Sequence, residues 1–170
     1  FGNKFNQPLS NSLDNCSSLT NLTFENKFDQ HLGNSLNNCS SLTHIQFGSF
    51  FSQPLTNFLY NHPLLVHLEL GHGFNQKIDL PYNVRSISLN CNNVYLIEHL
   101  PDTIEELELG LYFDLEWNNL PSAIKKITFN KDSNYNKELN CLPNNLEYLQ
   151  LPYSYDKQIL SIHAHLKKLI

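Results

Sequence analysis

Residues 1–24 read FGNKFNQPLSNSLDNCSSLTNLTF, and residues 24–47 read FENKFDQHLGNSLNNCSSLTHIQF. The two segments match almost throughout, and a third copy from Phe47 to Leu70 keeps FSQPL and ends in LVHLEL. Self-similarity at a fixed period marks a repeat architecture, in which each unit buries its apolar face only against its neighbours.

Beyond Leu70 one element persists: an apolar residue, two variable ones, an apolar residue, one variable, then Leu or Phe. It occurs as Leu19-Leu22-Phe24, Leu42-Ile45-Phe47, Leu65-Leu68-Leu70, Val84-Ile87-Leu89, Ile104-Leu107-Leu109, Ile124-Ile127-Phe129 and Leu146-Leu149-Leu151, with a partial copy at Leu166-Leu169. The first residues of successive copies lie 23, 23, 19, 20, 20, 22 and 20 apart. LxxLxL with this period is the strand signature of leucine-rich repeats. Side chains alternate along a strand, so positions four and six face the core, while two, three and five line an open face.

The predicted fold is a leucine-rich-repeat solenoid over 1–170, right-handed as parallel crossovers almost always are. Its parallel sheet forms the concave face, and its convex side is irregular to briefly helical. Charge supports the register. The second strand position runs Thr20, Thr43, Val66, Arg85, Glu105, Lys125, Glu147, Lys167, alternating in sign from Arg85 onward, and Glu106 falls beside Lys126. Opposite charges on adjacent strands favour that alignment by a few tenths to about 1 kcal/mol per pair.

On the convex side of the first three copies a turn or two of helix is expected, since Leu9, Leu13 and Cys16, like Leu32, Leu36 and Cys39, are spaced for one helical face. From Leu80 the shorter coils carry Leu80-Pro81, Leu100-Pro101, Leu120-Pro121 and Leu142-Pro143, which favour extended backbone. Thicker coils are expected to about residue 78 and thinner ones after it. Phe1 and Ile170 fall inside repeats, so the expectation is a piece of a longer solenoid.

With 41% hydrophobic residues and only 16% charged, the chain can bury a core, and a net charge of -5 with no basic stretch argues against nucleic acid. No apolar run approaches the ~20 residues of a membrane helix, and no secretion signal opens the chain. Cys16, Cys39, Cys91 and Cys141 form no CxxC pair, and the expectation is reduced, buried thiols in an intracellular, cytoplasmic protein.

Phe5-Asn6-Gln7-Pro8-Leu9, Phe28-Asp29-Gln30-His31-Leu32, Phe51-Ser52-Gln53-Pro54-Leu55 and Phe74-Asn75-Gln76-Lys77-Ile78 resemble the motif of FNIP repeats. The later Leu-Pro units resemble the other half of that family's pattern. FNIP repeats are leucine-rich-type repeats of social amoebae and of giant viruses that infect amoebae, and a viral member would sit in the host cytoplasm. Family members often carry an upstream F-box, and none lies within these residues. Asn92-Asn93-Val94-Tyr95 departs from the motif, and Ser133-Asn134-Tyr135-Asn136 expands it by two residues, so both coils are expected to bulge.

Asn6, Asp29, Ser52, Asn75, Asp114 and Asp156 follow the motif aromatic at equivalent places, and stacking them suggests a ladder onto neighbouring backbone. The aromatics themselves, Phe5, Phe28, Phe51, Phe74, Phe113 and Tyr155, are expected to form a buried stack. His44 and His67, with Glu69 nearby, fall short of the four ligands, or three plus water, of a zinc site, so neither metal nor cofactor is expected. No nucleophile with a matched base is legible, and the resemblance supplies no catalytic residues, so the protein is not expected to be an enzyme. The sequons at Asn15, Asn21 and Asn38 matter only in a secreted chain.

Protein-protein interaction through the open strand face is the expected function. Its candidate contacts are Asn21, Thr23, His44, Gln46, His67, Glu69, Ser86, Ser88, Glu106, Glu108, Lys126, Tyr148 and Gln150. Two alternatives stand beside it: the substrate receptor of an F-box ubiquitin-ligase adaptor, and a structural or surface component of a virion.

Overall fold

Each strand signature becomes a short strand, and the strands pair in chain order. The computed structural model describes residues 1–159, 162 and 164–170. Its strands are β1 (Asn21–Thr23), β2 (His44–Gln46), β3 (His67–Leu70), β4 (Ser86–Leu89), β5 (Glu106–Leu109), β6 (Lys126–Phe129), β7 (Tyr148–Gln150) and β8 (Lys168–Leu169). They form one eight-stranded sheet ordered β1 to β8, every pairing parallel. Register follows the repeat: Leu22 pairs with Ile45, Ile45 with Leu68, Leu68 with Ile87 and so on to Leu149 with Leu169. The stack is a leucine-rich-type solenoid.

Core and open face separate as strand alternation requires. Leu22, Ile45 and Leu68 are 7%, 1% and 0% exposed, and Ile87, Leu107, Ile127 and Leu149 continue that buried column. Leu169, on the last strand, is 46% exposed.

Two aromatic columns fill the early coils. The motif column Phe5, Phe28, Phe51 and Phe74 stacks with centroids 5.9, 6.0 and 6.3 Å apart. The sixth-position column Phe1, Phe24 and Phe47 stacks at 5.3 and 5.5 Å. Within a coil the two columns touch, Phe24 on Phe28 at 4.0 Å and Phe47 on Phe51 at 3.9 Å. Phe5 and Tyr155 are only half-buried, each lacking a neighbouring coil's full cover. Tyr135, two places late because of the insertion, is the buried aromatic of its coil and meets Phe129 at 4.6 Å.

The polar ladder forms as well. Asp29 N donates to Asn6 Oδ1 at 3.0 Å, Ser52 N to Asp29 Oδ1 at 3.0 Å and Asn75 N to Ser52 Oγ at 3.4 Å. Asn92 and Asn136, inside the two departing coils, take their places in it. Asp114 N donates to Asn92 Oδ1 at 2.7 Å and Asp156 N to Asn136 Oδ1 at 3.1 Å.

Helix forms in one of the three long coils where it is expected, and in one short coil where it is not. The first two coils make turns only, because Ser10 (φ 46°) and Gly33 (φ 51°) occupy equivalent left-handed positions that interrupt a helix. The third coil forms α1 (Thr56–Tyr60). The other helix, α2 (Val94–Glu98), lies in a short coil expected to be extended and bulged. Asn93 caps it by accepting from Leu96 N at 3.1 Å and donates its amide to Gln76 O at 2.8 Å, while Leu96 and Ile97 fill the core beside Cys91. What looked like loss of the motif is a helix start.

One turn recurs before each strand. The carbonyls of Cys16, Cys39 and His62 accept from Leu19, Leu42 and Leu65 N at 3.1, 3.1 and 3.0 Å. Those of Pro81, Pro101, Pro121 and Pro143 accept from Val84, Ile104, Ile124 and Leu146 at 3.1 to 3.2 Å. Only a carbonyl is required there, so Cys, His and Pro all serve. Cys39 and Cys91 are buried, but Cys16 is half-buried and Cys141 exposed, against the expectation that all four would be buried.

The open sheet face as candidate interaction surface

Two columns of side chains run across the open face. In register, the third strand position runs Asn21, His44, His67, Ser86, Glu106, Lys126, Tyr148 and Lys168. The fifth runs Thr23, Gln46, Glu69, Ser88, Glu108, Thr128 and Gln150. All thirteen candidate contacts therefore lie side by side on one surface. Asn21, Thr23 and His44 are exposed, and most of the rest are half-buried between neighbours. Ser88 departs from expectation: it is buried at 8% exposure, a short side chain sunk between Glu69 and Glu108, donating to Glu108 Oε2 at 2.7 Å. Thr128 and Lys168 belong to the columns too, and the strand signature already placed them there.

Neighbouring side chains hold each other. Gln46 Nε2 donates to Glu69 Oε1 at 3.0 Å, and Lys126 Nζ to Glu106 Oε2 at 2.9 Å. Lys168 Nζ lies 5.4 Å over the Tyr148 ring, whose hydroxyl donates to Gln150 Oε1 at 3.2 Å. Burial pushes the Glu69 carboxyl up, the nearby Glu108 charge adds to this, and the Gln46 bond partly offsets it. Among the described residues neither Glu69 nor Glu108 forms a direct ion pair, although the Glu108 charge helps raise the Lys126 pKa.

The His44 and His67 rings stack at 5.6 Å. Thr43 Oγ1 spends its proton on Thr20 O at 3.0 Å, so it accepts from His44 Nδ1 at 2.9 Å. His67 Nδ1 lies 2.9 Å from Ser86 Oγ, and burial lowers the His67 pKa against the opposing pull of Glu108. No three His, Cys, Asp or Glu side chains among the described residues gather to hold a metal.

The second-position charges flank this surface. Lys125 pairs with Glu105 at 2.7 Å and Lys167 with Glu147 at 2.9 Å. The expected alternation thus resolves into separate pairs, because Arg85 turns to the Tyr82 carbonyl instead of Glu105. A groove of about 430 Å³ runs along this edge past Arg85, Glu105, Lys125 and Glu147. A second cleft, of about 310 Å³, lies over Glu69, Ser88, Glu108 and Thr128.

The FNIP Repeat family model matches residues 74–112 and 113–154, just under half of the chain and the part in which the motif departs most from its early form. Residues 74–154 are two adjacent FNIP repeats. The chain's earlier half carries the motif at the same place in the coil, joined to the later half by the unbroken sheet. The chain is also similar to CroV588, a circular leucine-rich-repeat protein of a giant virus, at 26% identity and a TM-score of 0.59. That likeness covers 99% of this chain and 32% of the other, so the chain spans about a third of the neighbour's length. No curated protein matches it. No helix among the described residues is long and apolar enough to cross a membrane.

Proposed function

We propose that the chain is a non-catalytic protein-interaction module that reads its partner through the open strand face. The observation carrying this is where the repeats differ. Core columns keep Leu, Ile, Val or Phe, and the ladder keeps Asn, Asp or Ser, coil after coil. The third-position column instead changes from Asn21 through His67 and Glu106 to Tyr148, and packing does not dictate those choices. A rigid surface with varied, mutually braced polar and aromatic side chains suits recognition of one protein surface.

The test uses the full-length protein to capture a partner, then titrates that partner against variants. Glu108→Ala and Tyr148→Ala are expected to weaken binding at least tenfold, about 1.4 kcal/mol. Asn57→Ala and Glu98→Ala, on the exposed convex side, should leave affinity unchanged. Loss through the convex variants alone would overturn the proposal.

A further inference from the structure

We propose that Cys16 and Cys39 are a redox-operated staple, oxidised to a disulfide that joins the first two coils. The two residues sit 23 positions apart, at the same point of the same turn. Cys16 N donates to Leu13 O at 3.0 Å and Cys39 N to Leu36 O at 2.9 Å. Side chains at this register reach back to the preceding coil. His62 Nε2, one coil on, lies 2.9 Å from Leu36 O, and Cys39 Sγ lies 3.8 Å from Leu13 O, the carbonyl that holds Cys16 N. The Cys39 thiol is therefore turned toward the coil that carries Cys16. Equivalent rings of these coils are 5.3 and 5.9 Å apart, and a disulfide spans Cα separations of roughly 4.4–6.8 Å.

The two thiols differ in a way that orders the chemistry. Cys16 is half-buried, whereas Cys39 is buried. Burial pushes the Cys39 thiol up, with Cys16 and Asp14 adding to it. With glutathione disulfide as oxidant, the Cys16 thiolate attacks one sulfur, the glutathione S–S bond breaks, and one glutathione leaves and takes up a proton. Cys39 then loses its proton and attacks Cys16 Sγ. The bond from Cys16 to glutathione breaks, and the second glutathione leaves. Two protein thiols are oxidised and one glutathione disulfide is reduced to two thiols.

The experiment incubates the reduced full chain with glutathione disulfide under native conditions and maps it with trypsin. Cleavage after Lys4, Lys27 and Lys77 puts the two cysteines on separate peptides, 5–27 and 28–77. The expected product is a monomer lighter by two hydrogens with those peptides cross-linked. It should melt at a higher temperature than the reduced chain, and a reductant should reverse the gain. Cys16→Ser is expected to abolish both cross-link and gain; the wild-type peptide map needs no variant to fold. A persistent glutathione adduct on Cys16, cross-links only through Cys141, or a cross-linked chain that melts no higher would each overturn the proposal.

Discussion

Asp29 offers a direct test of whether the polar ladder holds coil to coil. Its Oδ1 accepts from Ser52 N at 3.0 Å and from Gln53 Nε2 at 2.9 Å, both on the next coil. Asp29→Ala removes both bonds and strands the Ser52 amide, whose residue is half-buried. A net hydrogen bond is worth about 0.5–1.5 kcal/mol, and an unpaired polar group adds its own desolvation cost. With Ser52 partly wet, the expected loss is about 1–3 kcal/mol. Asp29→Asn keeps an oxygen at the same place, so its cost should stay below about 1 kcal/mol. Urea denaturation followed by circular dichroism reads both, provided the slope with denaturant stays unchanged. If the alanine variant unfolds at the wild-type midpoint, or the asparagine variant loses as much as alanine, the ladder is not what couples these coils.

Gly71 packs against the Gly48 carbonyl of the preceding coil so closely that a Cβ would collide with backbone, and Gly71→Ala should cost about 1–3 kcal/mol in the same assay. Ser10 holds a left-handed backbone (φ 46°) where the next coil has Gly33, so Ser10→Gly should stabilise by up to about 1 kcal/mol. The Glu69 carboxyl is pushed up, first by burial and then by Glu108. A carboxyl raised on folding favours the folded chain fully below its unfolded pKa of about 4.3, and this contribution is lost as pH rises through the higher folded value. Glu69→Gln should therefore raise the melting temperature at pH 7 and not at pH 3, and no gain at pH 7 would contradict the assignment.

Strand positions and register were legible because both rest on one apolar period: Leu22, Ile45 and Leu68 land over one another as their spacing demands. The ladder was legible for the same reason, since Asn6, Asp29 and Ser52 inherit the register. The α2 helix was not. Its start depends on the Asn93 side chain finding Leu96 N, a local capping choice that a repeat alignment records only as a broken motif. Ser88 was placed on the correct face, but its burial depends on the length of its neighbours, Glu69 and Glu108, and alternation says nothing of that. The pairing of Phe24 with Phe28 and of Phe47 with Phe51 also escaped, because the two phenylalanines belong to different motifs that meet only when the coil closes.

A solenoid's stability is close to a sum over neighbouring coils, and the columns contribute unequally. Truncating a buried leucine such as Leu107 to alanine costs about 2–5 kcal/mol. A cross-strand polar pair such as Glu106 with Lys126, both half-exposed, contributes at most about 1 kcal/mol. Residues on the open face are thus nearly free of the constraints that hold the fold, while the parallel sheet fixes where each one stands. Folding leaves their identities open, so the sequence of chemistries across that face, from His44 and His67 through Glu106 and Glu108 to Tyr148, is where selection for a partner can act without loosening the stack.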